Sequence, residues 1–186
     1  MKMIVVADEK WGIGADGCLL TSLPEDMKFF RKTTKGHAMI MGRKTLESFP
    51  GKKPLKDRVN IVITSRPESI GNGAIGVGSV EEAIKVYEEK YGDFECFVVG
   101  GGMVYRQMLH YCDTAYITKI YKTFDHAEVF IDNLDELGNW VVAEESDLKE
   151  HEGLTFRFLT YKNIGIVGSI QKDQMQYSFC EGHWNK

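Results

Sequence analysis

Residues 96–105 read CFVVGGGMVY, a short apolar run followed by three glycines and the beginning of an amphipathic segment. Apolar runs of this length are typical of buried strands, and consecutive glycines let backbone N–H groups approach a ligand closely. A helix that begins at such a turn favours an anion, because its N-terminal end carries partial positive charge. The stretch therefore predicts a strand–turn–helix unit that binds phosphate, with a plain tight turn as the simpler alternative. Its spacing is not Gly-x-Gly-x-x-Gly, so it lacks the usual dinucleotide fingerprint.

Similar apolar runs recur along the chain and alternate with helical patterns up to about residue 125. The apolar runs lie at residues 4–7, 38–41, 59–64, 96–99 and 114–120, and helical patterns begin at Leu23 and after Ser79. Nearly continuous apolar strands joined by helices indicate a parallel sheet that is covered on both faces. Two later runs, at 140–143 and 155–161, are joined by a polar turn, and the alternation in the second predicts an antiparallel edge strand.

Length, composition and charge are those of one ordinary globular domain. The 186 residues include 43% hydrophobic and 27% charged residues, and the formal net charge is −4. These values argue against a disordered chain and give no reason to expect a nucleic-acid partner. No run approaches the ~18 apolar residues of a membrane span, and the N-terminus lacks a secretory pattern. A cytoplasmic protein is therefore expected.

The four cysteines are expected to be reduced thiols. They are far apart in the sequence and form no Cys-x-x-Cys pair: Cys18, Cys96, Cys112 and Cys180. Cysteines of cytosolic proteins are usually reduced. Cys180 and His183 have a spacing that a metal could use, but a second ligand pair is missing nearby, so no metal site is expected.

Two further strand–helix junctions carry groups that suit an anion. Gly42-Arg43-Lys44-Thr45 follows the run at 38–41, and Thr64-Ser65-Arg66 ends the run at 59–64. In a parallel sheet these junctions and the glycine turn share the carboxyl edge, where ligands bind. Three anion-binding turns on one edge predict an extended phosphorylated cofactor, although a solvated surface remains the alternative for the Gly42–Thr45 junction. The clustered cations predict an extra phosphate, which favours NADPH over NADH.

Asp26 and Arg58 are two further charged residues that lie beside predicted apolar surfaces. At helical spacing Asp26 shares a face with Phe30 and Thr33, so it is either a first-turn acid favoured by the helix dipole or a buried ligand anchor. Arg58 lies between a polar loop and the run at 59–64, where a surface cation is the simpler interpretation.

Taken together, these segments resemble dihydrofolate reductase over roughly residues 3–162. The matching motifs are Trp11-Gly12-Ile13-Gly14, Leu23-Pro24-Glu25-Asp26-Met27, Met39 to Thr45, Glu47-Ser48-Phe49, Arg58-Val59-Asn60, Val99 to Gly102 with Val104-Tyr105, and Phe156-Arg157-Phe158. Each motif alone is modest, but their order and spacing together are highly specific.

The resemblance implies a fold, a reaction and a set of partners. The fold is a single α/β domain, residues 1–163, with an eight-stranded mostly parallel sheet, an antiparallel C-terminal strand and flanking helices; residues 164–186 form an extension that the family does not describe. The reaction is NADPH-dependent reduction of 7,8-dihydrofolate, with hydride passing from nicotinamide C4 to pterin C6 and a proton reaching N5. The expected partners are dihydrofolate and antifolate inhibitors, and the expected state is a monomer.

The resemblance also implies roles for individual residues. Asp26 takes the place of the active-site carboxylate with Thr118 behind it, Arg58 pairs with the substrate's glutamate α-carboxylate, and Leu19 and Thr21 complete the catalytic set. The implied substrate pocket comprises Ile4, Val5, Val6, Asp26, Met27, Phe30, Phe49, Leu55, Arg58, Val99, Tyr105 and Thr118. The implied cofactor site comprises Ala7, Ile13, Gly14, Gly17, Leu19, Gly42, Arg43, Lys44, Thr45, Ile63, Thr64, Ser65, Arg66, Val99, Gly100, Gly101, Gly102, Met103, Val104 and Tyr105.

Three positions depart from the family pattern. Leu20-Thr21 stands where Pro-Trp is usual, so the pocket loses apolar surface beside the pterin. Met103 occupies a position where some relatives carry a phosphate-side arginine. Residues 128–131 read Glu-Val-Phe-Ile instead of the usual Thr-x-Phe-Pro, which puts a proline-shaped turn there in doubt.

Two other functions are compatible with parts of this pattern. One is a reductase of a riboflavin-pathway pyrimidine on a related fold, which the Asp26 motif followed by Phe30 disfavours. The other is a protein that binds NADPH without catalysing a reaction, for which Thr21 and the C-terminal extension are the motivation.

Overall fold

The computed structural model describes residues 1–165, in which strands and helices alternate along most of the chain. The strands are β1 (Lys2–Ala7), β2 (Gly12–Ala15), β3 (Cys18–Leu19), β4 (Ala38–Gly42), β5 (Val59–Ile63), β6 (Ile75–Val77), β7 (Cys96–Val98), β8 (Thr114–Ile120), β9 (Val129–Phe130), β10 (Trp140–Glu145), β11 (Lys149–His151) and β12 (Leu154–Asn163). The helices are α1 (Pro24–Thr34), α2 (Arg43–Ser48), α3 (Val80–Tyr91) and α4 (Gly102–Met108), with short 3₁₀ turns at Pro50–Lys52, Pro67–Ser69 and Leu109–Tyr111.

Eight strands form the central sheet in the order β10-β12-β8-β1-β7-β4-β5-β6, and β11 pairs with β12 off this path. The pairs from β8 through β6 are parallel, whereas β12 is antiparallel to β8 and β10 is antiparallel to β12. This arrangement confirms the predicted α/β fold. One detail of the prediction is wrong: β12 lies between β8 and β10 and is not an edge strand. Polar and apolar residues alternate along β12 because one face of the sheet is more buried than the other there. Such alternation occurs in interior strands as well as in edge strands.

The sheet is covered on both faces, which explains why the strands at its centre, β1, β4, β5 and β7, are apolar at nearly every position. Met3 and Val5 of β1 pack in the larger core cluster with residues of α3 and α4, whereas Ile4 packs in the opposite cluster. That second cluster includes Phe29 and Phe30 of α1. Successive side chains of a strand point to opposite faces, so a strand with both faces covered needs no polar positions.

Two helices begin where the sequence predicts, each by a different local mechanism. α1 begins with Pro24, whose fixed φ suits a first helical position and whose missing N–H is not needed there. α3 is capped by Ser79, whose side chain accepts the N–H of Glu82 at 3.2 Å. The Glu82 carboxylate accepts the N–H of Gly78, one residue before the position that a capping box would use.

A second, three-stranded sheet of order β3-β2-β9 was not foreseen from the sequence. β2 and β3 form a hairpin, and β9 supplies residues from the segment that departs from the usual Thr-x-Phe-Pro pattern. The small sheet lies against the glycine turn, since a Cβ on Gly102 would meet the Val129 side chain of β9 at 2.6 Å.

A buried carboxylate anchors this hairpin at its base. Asp8 is 1% exposed and accepts N–H groups from Lys10 and Gly12 on one oxygen and from Phe124 on the other, at 2.7–3.0 Å. Beside it, Lys119 Nζ lies 3.9 Å from the centroid of the Trp11 ring and donates to a backbone carbonyl. The base of the hairpin is therefore fixed by charge as well as by packing.

Two features bear on the predictions from composition. No helix within residues 1–165 is long and apolar enough to cross a bilayer. Of the four cysteines, the three in that part of the chain are free, whereas Cys180, His183 and nearly all of the predicted extension lie outside the described residues.

Candidate active site

Asp26 lies in the first turn of α1 and faces β8. Thr118 Oγ1 donates a 2.6 Å hydrogen bond to Asp26 Oδ1, and Thr118 itself is 2% exposed. The contact is made possible by Leu23, which is buried against Ile120 and Phe156 and holds the start of α1 on the sheet. Burial raises the pKa of Asp26 because the charged form loses water, and the Thr118 hydrogen bond lowers that pKa in part.

An apolar surface extends from Asp26 along the face of the sheet that α1 covers. The predicted pocket residues of this surface belong to one packed cluster: Ile4, Phe30, Phe49, Leu55 and Val99. Met27 projects beside them and is 47% exposed, and Val6 packs in the neighbouring cluster around Leu23. A partly open apolar wall next to one carboxylate suits a flat heterocycle with a polar edge.

Val5 requires a correction to the predicted pocket. Strand alternation places its side chain in the core cluster on the opposite face, together with Met3 and Ala7. On the side of the predicted pocket, Val5 can therefore contact a ligand only through its backbone. Tyr105 also packs in that opposite cluster, and its hydroxyl donates to the carbonyl of Ile4 on β1 at 2.7 Å.

Arg58 is braced at the far end of α1. Its Nε donates to Thr34 Oγ1 at 2.8 Å, Nη2 donates to the carbonyl of Arg31 at 2.8 Å, and Nη1 donates to the carbonyl of Lys56 at 2.7 Å. These bonds use three of the five guanidinium N–H groups and leave one on each terminal nitrogen for a ligand. Eight residues of helix separate Asp26 from Thr34, which is about 12 Å along the axis. Burial lowers the pKa of Arg58, yet a guanidinium stays charged near neutral pH.

The glycine turn and the β4–α2 junction form one structure. The N–H of Gly42 donates to the carbonyl of Gly100 at 2.7 Å, and Thr45 Oγ1 lies beside Gly101. The Gly100–Gly101 peptide is cis, and Gly100 has φ of +106°, a conformation that favours glycine. A Cβ on Gly100 would lie 2.8 Å from the Tyr105 ring. The turn therefore depends on the absence of side chains, as the sequence predicts.

The third junction lines a cavity of about 570 Å³ at the same edge of the sheet. Thr64, Ser65 and Arg66 line it together with Arg43, so the structure brings these predicted residues together. Sequence reasoning missed several of its other lining residues, among them Glu47, Lys52 and Ser69. The i,i+4 spacing of Arg43 and Glu47 indicates that these side chains are neighbours on one helix, so Glu47 could have been included.

The remaining predicted residues lie around these three turns or on the hairpin above them. Ala7 and Ile13 are buried, whereas Leu19 and Met103 are 60% and 72% exposed, and Thr21 is partly exposed between β3 and α1. The other members are the exposed Gly17 and Lys44, the half-buried Ile63, and the buried Gly14, Gly102 and Val104.

The sequence matches the family model described as dihydrofolate reductase over residues 1–163. The chain belongs to the dihydrofolate reductase family. It is 37% identical to the dihydrofolate reductase of Bacillus subtilis over 174 residues, covering 91% of this chain and 99% of that protein. It is 34% identical to that of Heliothis virescens over 181 residues, covering 88% and 97% of the two chains.

A solved structure of the family has the same fold. Dihydrofolate reductase from Enterococcus faecalis, complexed with NADP(H) and RAB-propyl, matches with a TM-score of 0.75 and 32% identity, covering 87% of this chain and 94% of that one. These comparisons confirm the predicted family, fold and class of enzyme, an oxidoreductase. The roles of individual residues stay predictions.

Proposed function

We propose that this protein reduces 7,8-dihydrofolate to tetrahydrofolate with NADPH, supplying reduced folate for one-carbon metabolism, and that Asp26 and Arg58 orient the substrate. The observation that carries the residue assignment is the Asp26–Thr118 hydrogen bond at one end of an apolar surface whose other end holds Arg58. The family assignment supports the reaction, and this geometry supports the orientation of a long substrate along α1.

The substrate fits between the two charged ends. The pterin has a donor edge at N3 and its 2-amino group, which the Asp26 carboxylate can bind as paired acceptors. The two remaining N–H groups of Arg58 can bind the glutamate α-carboxylate bidentately, because one is left on each terminal nitrogen. The benzoyl group then lies over Phe30, Phe49 and Leu55, where its burial is favourable.

The residues at the carboxyl edge fit NADPH. The glycine turn and Thr45 present backbone and hydroxyl groups without a Cβ in the way, as a pyrophosphate requires. The cavity lined by Arg43, Lys52 and Arg66, with hydroxyls from Thr64 and Ser65, suits a phosphate on the adenosine ribose. When bound, NADPH supplies the hydride for pterin C6.

The protein contributes positioning and electrostatics to the reaction. Asp26 holds the pterin ring and polarises it, and Thr118 fixes the carboxylate oxygen that accepts its hydroxyl. Ala7, Ile13 and Leu19 place apolar groups near the nicotinamide position. Thr21 keeps a hydroxyl at the partly exposed end of the pocket, where it can hold the water that delivers a proton to N5.

We further propose a monomer that works in the cytoplasm without a nucleic-acid partner and binds antifolates in the pterin pocket. The free thiols of Cys18, Cys96 and Cys112 suit a reducing compartment, and the net charge of −4 does not favour a polyanion.

A turnover assay tests the function. The purified protein is mixed with NADPH and either dihydrofolate or the riboflavin-pathway pyrimidine, and loss of the reduced nicotinamide absorbance is followed. We expect turnover with dihydrofolate alone. Binding of NADPH without turnover would identify a binding protein, and turnover of the pyrimidine alone would identify the other reductase.

A further inference from the structure

The cavity between α2 and the β5 junction contains a carboxylate among its cations. Arg43, Lys52 and Arg66 line it, and so does Glu47. Glu47 Oε1 lies 2.5 Å from Nη1 of Arg43, one turn earlier on α2. The guanidinium predicted to bind the ribose phosphate therefore already has a counter-ion.

A phosphate in this cavity would meet that counter-ion. A phosphate monoester carries about −1.5 to −2 charges at neutral pH, so on Arg43 it would lie near the Glu47 carboxylate that already binds the same guanidinium, and the two anions would repel each other. A ribose 2′-hydroxyl carries no charge and meets no such repulsion. Glu47 therefore acts against NADPH and is neutral toward NADH.

The opposing possibility is that Glu47 helps by orienting Arg43. The ion pair is too weak for that effect to dominate. Its side chains are 49% and 43% exposed, and the cation precedes the anion, which is the less favourable order at i,i+4 spacing. An exposed pair of this kind changes an equilibrium by about twofold at most. Repulsion between a carboxylate and a phosphate dianion at ~6 Å in water amounts to about three- to tenfold after screening.

We infer that Glu47 limits the preference of this enzyme for NADPH over NADH by opposing a phosphate on the adenosine ribose. The inference rests on the proposed use of NADPH and identifies a residue that the site prediction did not include. Removing the Glu47 charge while keeping the shape of the side chain should increase the preference for NADPH over NADH.

The test compares Glu47→Gln with a matched control. Glu89→Gln removes a carboxylate that forms an i,i+4 pair with Lys85 on α3, away from the cavity. Dissociation constants for NADP⁺, NAD⁺, 2′,5′-ADP and 5′-AMP are measured by titration calorimetry. We expect Glu47→Gln to bind NADP⁺ and 2′,5′-ADP about three- to tenfold more tightly, NAD⁺ and 5′-AMP as the wild type does, and the gain to shrink at high salt. Glu89→Gln should change none of these constants.

The outcomes separate this inference from the proposed function because binding needs no turnover. If Glu47→Gln binds NADP⁺ no more tightly than the wild type, or more weakly, the inference is wrong and the proposed function stands. An equal gain for NAD⁺ also overturns it. A wild type that binds neither nucleotide would overturn the proposed function and this inference with it.

Discussion

Replacing Asp26 with asparagine should separate activity from stability. In the wild type Thr118 Oγ1 donates to Asp26 at 2.6 Å, and asparagine keeps a carbonyl oxygen that can accept this hydrogen bond. Asparagine also has nearly the same volume as aspartate. The substitution removes a carboxylate whose pKa is raised by burial. We therefore expect the Asp26→Asn variant to lose turnover and to unfold at a higher temperature than the wild type at neutral pH.

The size of each effect follows from its cause. A positioned acid–base group is typically worth ~10²–10⁴-fold in rate, and an amide cannot supply the charge that Asp26 offers to the pterin. Stabilising substitutions commonly add about 0.5–2 kcal/mol, and 1 kcal/mol shifts Tm by roughly 2–4 °C in a domain of this size.

The pH dependence has a definite sign. The folded protein holds the Asp26 proton more tightly than the unfolded chain does, because burial raises the pKa of Asp26. This carboxyl therefore lowers the free energy of unfolding as pH rises above the unfolded pKa of about 3.9 and through the folded value. The advantage of asparagine should be fully present at neutral pH and absent below about pH 4.

Two measurements check this prediction. Turnover is followed by oxidation of NADPH in the presence of dihydrofolate, and Tm is measured at neutral and acidic pH. Glu25→Gln is the control, since Glu25 lies in the same helical turn but pairs with Lys149 at the surface; it should change neither quantity much. Near-wild-type turnover of Asp26→Asn, or a lower Tm at neutral pH, would refute the reasoning.

Three further predictions concern the proposed glutamate-binding arginine, the proposed phosphate cavity and the proposed pterin pocket. Arg58→Leu should raise the KM for dihydrofolate and spare reduction of a pterin that lacks the glutamate, because a hydrogen bond to a charged group is worth about 1.5–3 kcal/mol; equal losses in steady-state kinetics with both substrates would contradict this. Arg43→Ala/Arg66→Ala should weaken NADPH much more than NADH in binding titrations, and surviving discrimination would place the phosphate elsewhere. Thr21→Trp should lower antifolate inhibition constants about tenfold, since an indole buries ~150–250 Å²; unchanged constants would mean that Thr21 does not face the ligand.

The central sheet could be predicted because its strands are buried on both faces. In the runs around Ile40 and Val98, apolar residues fill nearly every position, and the glycine turn marks where a strand ends. The contact of Asp26 with Thr118 spans 92 residues, so periodicity alone could not supply it. The family resemblance implied it by placing Thr118 behind Asp26.

The small sheet and the cavity could not be predicted for two different reasons. β3 and β9 have two residues each, and Leu19, Val129 and Phe130 on them are exposed, so neither a buried run nor an alternation marks them. The side chain of Lys52 joins the cavity from a short turn after α2, a placement that no local pattern encodes, whereas Glu47 could have been included from its i,i+4 spacing to Arg43. Strand alternation predicts that Val5 and Ile4 point to opposite faces of the sheet, but the family resemblance placed both residues in the substrate pocket.

The Asp8 carboxylate makes two distant parts of the chain behave as one unit. It accepts N–H groups from Lys10 and Gly12 in the hairpin and from Phe124, 116 residues away. Releasing any one of these groups leaves a buried charge short of a partner, so the three amides should exchange with deuterium together rather than separately. A substitution near residue 124 can thereby loosen the hairpin beside the proposed nicotinamide position, which gives inherited variation a way to alter cofactor handling without touching a single proposed ligand contact.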